Sequence, residues 1–163
     1  MSALTVTLPS DRELSVTRAF AAPRSLVFDC WTKQDLVKQW LSGPPGWSFV
    51  TCTIDLKVGG QYRFVWKDQG GNTLGLTGIF REIARPGRLV STELFDQDWT
   101  GGETRVTIEL TETVGVTTMK QTIFYSSNAA RDGAAGSGMT QGMEMGFKKL
   151  AEFLAKQPAA PSL

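Results

Sequence analysis

Apolar residues recur at every second position through most of this chain, and at every third or fourth position in three short stretches. The first alternating stretch is 13–20, where Leu14, Val16, Arg18 and Phe20 share one face and Glu13, Ser15, Thr17 and Ala19 the other, the period of a strand. Pro23 then opens a helical spacing, Leu26, Val27, Cys30 and Trp31, that runs through Thr32. Proline suits a first helical turn because its missing N–H would have no partner there. A second short helix is expected directly afterwards, with Thr32 as its N-cap and Asp35 near the positive end of its dipole. Its apolar face holds Leu36, Val37, Trp40 and Leu41, and Ser42-Gly43-Pro44-Pro45-Gly46 ends it.

Period two then takes over. Val50, Cys52, Ile54 and Leu56 alternate with Phe49, Thr51, Thr53 and Asp55, and Tyr62, Phe64 and Trp66 alternate with Gln61, Arg63, Val65 and Lys67. Further strands are expected at 73–84, 88–95, about 105–111 and 116–125, separated by Gly-rich, Pro-Gly or polar turns. Consecutive strands joined by short turns imply an antiparallel meander. With 13–20 added, the sheet has about seven strands. Its apolar face needs a cover. After a Gly, Ala and Ser-rich segment at 126–138, a helix over 139–156 supplies one, through a stripe of Met139, Met143, Phe147, Leu150, Ala151 and Leu154. Gly142 and Gly146 interrupt good helix chemistry there, at up to ~1 kcal/mol each, and point to close approach by sheet or ligand. The expected fold class is α+β: one domain over 13–156, with 1–12 and 157–163 as flexible tails.

Composition narrows the chemistry. The chain has 163 residues, a formal net charge of +1, two cysteines and no histidine. One core suffices at this length. No basic excess points to nucleic acid or an anionic membrane, and no stretch reaches the ~20 apolar residues of a membrane span. The N-terminus lacks the pattern of a secretory signal, which leaves a cytoplasmic location as the expectation. Without histidine, Ser-His-Asp and Cys-His nucleophile systems and histidine metal sites are excluded. No cofactor is expected.

Five segments carry a resemblance: VTRAFAAPRSLVFDCWT at 16–32, VKQWLSGPPGW at 37–47, GGQYRFVWKDQGG at 59–71, GIFREIARPGRLVSTELF at 78–95 and SGMTQGMEMGFKKLAEFL at 137–154. Together they resemble the family named for the activator of the heat-shock protein 90 ATPase, within the START-like, polyketide-cyclase-like superfamily. The resemblance implies a helix-grip fold, a curved sheet around a long C-terminal helix with two short helices after the first strand. It implies function less sharply, since that scaffold serves lipid binders, hormone receptors, cyclases and co-chaperones.

Sixteen aromatics, five of them Trp, supply a candidate site. Tyr62, Phe64, Trp66, Phe80, Phe95 and Phe124 lie on strands, and Met139, Met143 and Phe147 on the covering helix. These nine residues are expected to line a cavity for a small apolar molecule. The alternative is that they fill the core. Arg18 orients a ligand's acid group, forms a structural ion pair with a cross-strand Glu, or sits outward in solvent. Glu93, Asp96, Asp98 and Glu103 read as a solvated acidic loop, and Cys30 and Cys52 as buried, inert thiols. Three functional classes follow: non-catalytic binding of a hydrophobic ligand, interaction with a chaperone of the heat-shock protein 90 class, and a cyclase or hydratase. The last requires an ionisable group inside the cavity, whereas the expectation is a space without reactive groups. A monomer and a two-fold dimer are both open.

Overall fold

The computed structural model describes residues 4–157. Its strands are β1 (Thr5–Ser10), β2 (Glu13–Phe20), β3 (Ser48–Ile54), β4 (Gln61–Lys67), β5 (Thr73–Ala84), β6 (Arg88–Phe95), β7 (Thr104–Thr113) and β8 (Val116–Phe124). Two short helices, α1 (Arg24–Thr32) and α2 (Gln34–Trp40), separate β2 from β3, and α3 (Asn128–Ala135) and α4 (Met139–Ala155) follow β8. The strands form one antiparallel sheet in the order β1-β2-β8-β7-β6-β5-β4-β3. The meander β3 to β8 is therefore closed by β2, which returns to pair with β8, and α1 and α2 fill the long connection.

Three features depart from the sequence expectations. Residues 5–10 are a strand, not part of a flexible tail, so the sheet has eight strands. All six residues of β1 are exposed, so no buried face marks the strand, although Val6 and Leu8 alternate with Thr5 and Thr7. Thr32 is the last residue of α1, not an N-cap; its hydroxyl donates to the Phe28 carbonyl (2.9 Å), and Lys33 caps α2. The segment 126–138 contains α3, whose cap is Ser127, with Oγ accepting from the Ala130 N–H (3.0 Å). The buried Arg131 ties α3 to the sheet by donating to the carbonyl of Ser10. The expected tail residues 1–3 and 158–163 lie outside the described residues.

Part of the core is packed solid. Leu14, Val16, Val27, Phe28, Val37, Met119 and Leu150 are essentially inaccessible there. Helix α1 lies against β7 and β8, and the Trp40 indole donates to the Cys30 carbonyl (2.8 Å), locking α2 to α1. Phe147 of α4 meets Phe20, Trp31 and Trp40 at ring distances of 6.3, 6.2 and 6.0 Å. N-terminal to Phe147 no residue of α4 is fully buried: Met139 and Met143 are half-buried and Met145 is exposed. That half of α4 covers a hollow.

Candidate functional site

The hollow is a cavity of about 450 Å³ between the inner face of the sheet and the first half of α4. Its floor is an aromatic ladder on β4. Tyr62, Phe64 and Trp66 are all buried, with ring distances of 5.1 Å between the first two and 5.8 Å between the last two. Alternation dictates this: with Gln61, Arg63, Val65 and Lys67 on the outer face, every second residue must point inward. Phe80 of β5 extends the ladder, 5.0 Å from Tyr62. On the edge strand a bulge between Phe49 and Thr51 breaks the expected alternation, leaving Val50 exposed while Phe49 stacks on Trp66 at 5.2 Å. The Trp66 indole donates to the Leu41 carbonyl (2.8 Å) and Lys149 of α4 donates to Ser42 Oγ (3.0 Å) and the Gly43 carbonyl (2.9 Å), so β4, α4 and the loop after α2 hold one rim together.

Eight of the nine residues expected to line a cavity do so: Tyr62, Phe64, Trp66, Phe80, Phe95, Met139, Met143 and Phe147. Phe124 does not. Ile123 pairs with Val106 and faces inward, so its neighbour Phe124 faces outward, where the Arg12 guanidinium lies 4.6 Å from its ring centre. The inward aromatic at that point is Tyr125. Gly142 and Gly146 also line the cavity, and a Cβ on either would meet nothing within 4 Å. They make no close approach to the sheet; they leave space.

A polar group was missed. Glu93 does not belong to an acidic loop. It sits on β6 in phase with Leu89, Ser91 and Phe95, and all four line the cavity. The Tyr62 phenol donates to Glu93 Oε2 and lies 2.9 Å from Ser91 Oγ. Tyr62, Gly78 and Glu93 stand directly opposite one another on β4, β5 and β6, and the Tyr62 ring passes over Gly78. Burial pushes the Glu93 carboxyl above its ordinary value, partly offset by the hydrogen bond from Tyr62. Burial, then the charge of Glu93, holds the Tyr62 phenol well above its own. The expectation of a cavity without reactive groups is thereby corrected: it holds a hydrogen-bonded phenol–carboxylate pair.

Arg18 does not line the cavity. It is buried, its guanidinium 4.8 Å from the Phe20 ring centre, and desolvation lowers its pKa, with Glu144 acting in the opposite sense. Cys30 and Cys52 are free and buried. Among the described residues no cluster of His, Cys, Asp and Glu is placed to hold a metal ion, and no helix is long and apolar enough to cross a membrane.

A curved antiparallel sheet gripping a C-terminal helix over an internal cavity defines the helix-grip class. Within it, residues 21–155 match the family model described as Activator of Hsp90 ATPase homolog 1-like protein, and the chain belongs to that family. A crystal structure of a Rhodobacter sphaeroides protein is similar throughout, with a TM-score of 0.90, 34% identity, and coverage of 95% of this chain and 99% of that one. A Nitrosomonas europaea protein is similar at a TM-score of 0.80 and 26% identity, covering 91% and 97%. An Arthrobacter aurescens protein shares the fold at a TM-score of 0.81 and 22% identity, covering 97% and 95%. No curated protein matches the chain.

Proposed function

We propose that this protein binds a small hydrophobic molecule in the cavity between the sheet and α4, without turning it over. The observation that carries this reading is the pair of glycines in the covering helix. Each costs about 0.5–1 kcal/mol of helix stability against alanine, and neither is required by a close contact, since a Cβ at Gly142 or Gly146 meets open space. A helix that accepts this cost over an aromatic-lined hollow of about 450 Å³ is shaped for an occupant. Met139 and Met143, half-buried above the same space, supply flexible apolar contacts that adapt to a guest. Native mass spectrometry of the purified protein tests this: a retained small molecule, lost on denaturation, is expected, and a protein that neither retains nor takes up any apolar compound contradicts it.

The Tyr62–Glu93 pair supports a second reading, acid–base catalysis of the cyclase or hydratase type, in which the carboxylate takes a proton and the phenol steadies the charge. Turnover abolished by Glu93→Gln would favour it over simple binding. The family match supports a third, interaction with a chaperone of the heat-shock protein 90 class; an ATPase rate unchanged by excess protein removes it. Two buried free thiols suit a reducing compartment such as the cytoplasm.

A further inference from the structure

We propose that the cavity selects an apolar ligand carrying a neutral hydroxyl group and discriminates against the corresponding carboxylate. This rests on the ligand-binding reading above and specifies its chemistry.

Among the described residues, no lysine or arginine lines the cavity, and Glu93 is the one charged side chain that does. Arg18, one candidate partner for a ligand's acid group, does not line it. A carboxylate entering this space would leave water, meet no cation and face Glu93.

The hydroxyl protons of the wall are already committed. Tyr62 gives its proton to Glu93, so the contact between Tyr62 and Ser91 has Ser91 as donor. Thr100 donates to the Gly102 carbonyl (2.8 Å) and Thr104 to the Glu93 carbonyl (3.5 Å). Tyr125 donates to Met139 Sδ (3.6 Å). What remains on these groups is acceptor capacity.

Two further groups point the same way. Gln121 is 8% exposed, lines the cavity, and its Oε1 meets no donor. Buried acceptors are nearly always paired, so this one calls for a donor from an occupant. The Trp31 indole N–H, also in the cavity wall, is buried without an acceptor. A hydroxyl can answer either group, giving a proton to an oxygen or taking one from the indole. An ammonium answers the acceptors alone, and a carboxylate answers only the indole and the Gln121 amide N–H, with no cation to balance its charge.

Displacement of the neutral fluorophore N-phenylnaphthylamine by naphthalenes bearing an ethyl, hydroxymethyl, aminomethyl or carboxylate group tests this. The hydroxymethyl compound is expected to displace the probe at about fivefold lower concentration than the ethyl compound, in line with one net hydrogen bond, and at about tenfold lower concentration than the carboxylate, whose charge would be buried unpaired. Gln121→Leu should shrink the preference over the ethyl compound, and Glu93→Gln the preference over the carboxylate. A carboxylate or aminomethyl compound that competes as well as the hydroxymethyl one, equal displacement by the ethyl compound, or no displacement by any of the four overturns the selectivity and leaves the binding reading standing. Absence of fluorophore binding removes both.

Discussion

The phenol of Tyr62 reaches Glu93 by crossing the backbone of Gly78, two strands linked over a third that puts no side chain between them at that position. A Cβ at Gly78 would fall 1.9 Å from Tyr62 Cζ. The glycine is thus what lets the aromatic ladder of β4 end in a hydrogen bond to β6. Gly78→Ala is predicted to drive the Tyr62 ring from its seat and to cost about 1–3 kcal/mol, the usual penalty of overpacking. Chemical denaturation measures this. A variant as stable as the wild type would show that the ring yields freely.

Glu93 makes stability depend on pH with a definite sign. Its folded carboxyl lies above the unfolded value of about 4.3. Between the two values the folded protein holds a proton that the unfolded chain has released, so stability falls as pH rises through the folded value. Glu93→Gln keeps an acceptor for Tyr62 and removes the titration. The variant should gain on the wild type as pH rises above about 4.3, the unfolded value, in urea unfolding. A constant difference across that range contradicts the burial of the carboxylate.

The cysteines should be silent. Burial, reinforced by Asp29, pushes the Cys30 thiol up to about 12, and burial also raises Cys52. Neither should react with an aromatic disulfide reagent at about pH 8 until the protein unfolds. Rapid labelling of the native protein would place a thiol at an accessible surface.

Gly142→Ala should stabilise the protein by about 0.5–1 kcal/mol, because the added methyl enters space that nothing fills within 4 Å and the helix gains propensity. A loss of stability would mean that the position is crowded.

Much of this was legible in the sequence. The alternation around Tyr62, Phe64 and Trp66 has large aromatics on one face and charged or polar residues on most of the other, so its phase was unambiguous. The helix at 139–156 declared itself by its stripe. Phe124 was misplaced because 116–125 carries apolar residues in both phases, Met119 and Ile123 in one, Val116 and Phe124 in the other. Pairing of Ile123 with Val106 decides between them, and pairing is not local. Glu93 was hidden because a carboxylate ahead of Asp96 and Asp98 looks like the start of a polar loop. Two signals pointed to it: its parity with Leu89 and Ser91, and a glycine at 78 in the middle of a strand, where something must come close. β1 is exposed along its whole length, and its short alternation of Val6 and Leu8 with Thr5 and Thr7, cut off by Pro9, is too brief to mark a strand.

The central claim is that the space beneath Gly142 and Gly146 is kept open for an apolar guest. Titration of N-phenylnaphthylamine into the wild type and into Gly146→Phe, with folding checked by circular dichroism, tests it most directly. The account predicts saturable one-site binding to the wild type and its loss in a variant that remains folded, with the new ring occupying the cavity. Equal binding by both proteins, or none by the wild type, would contradict it.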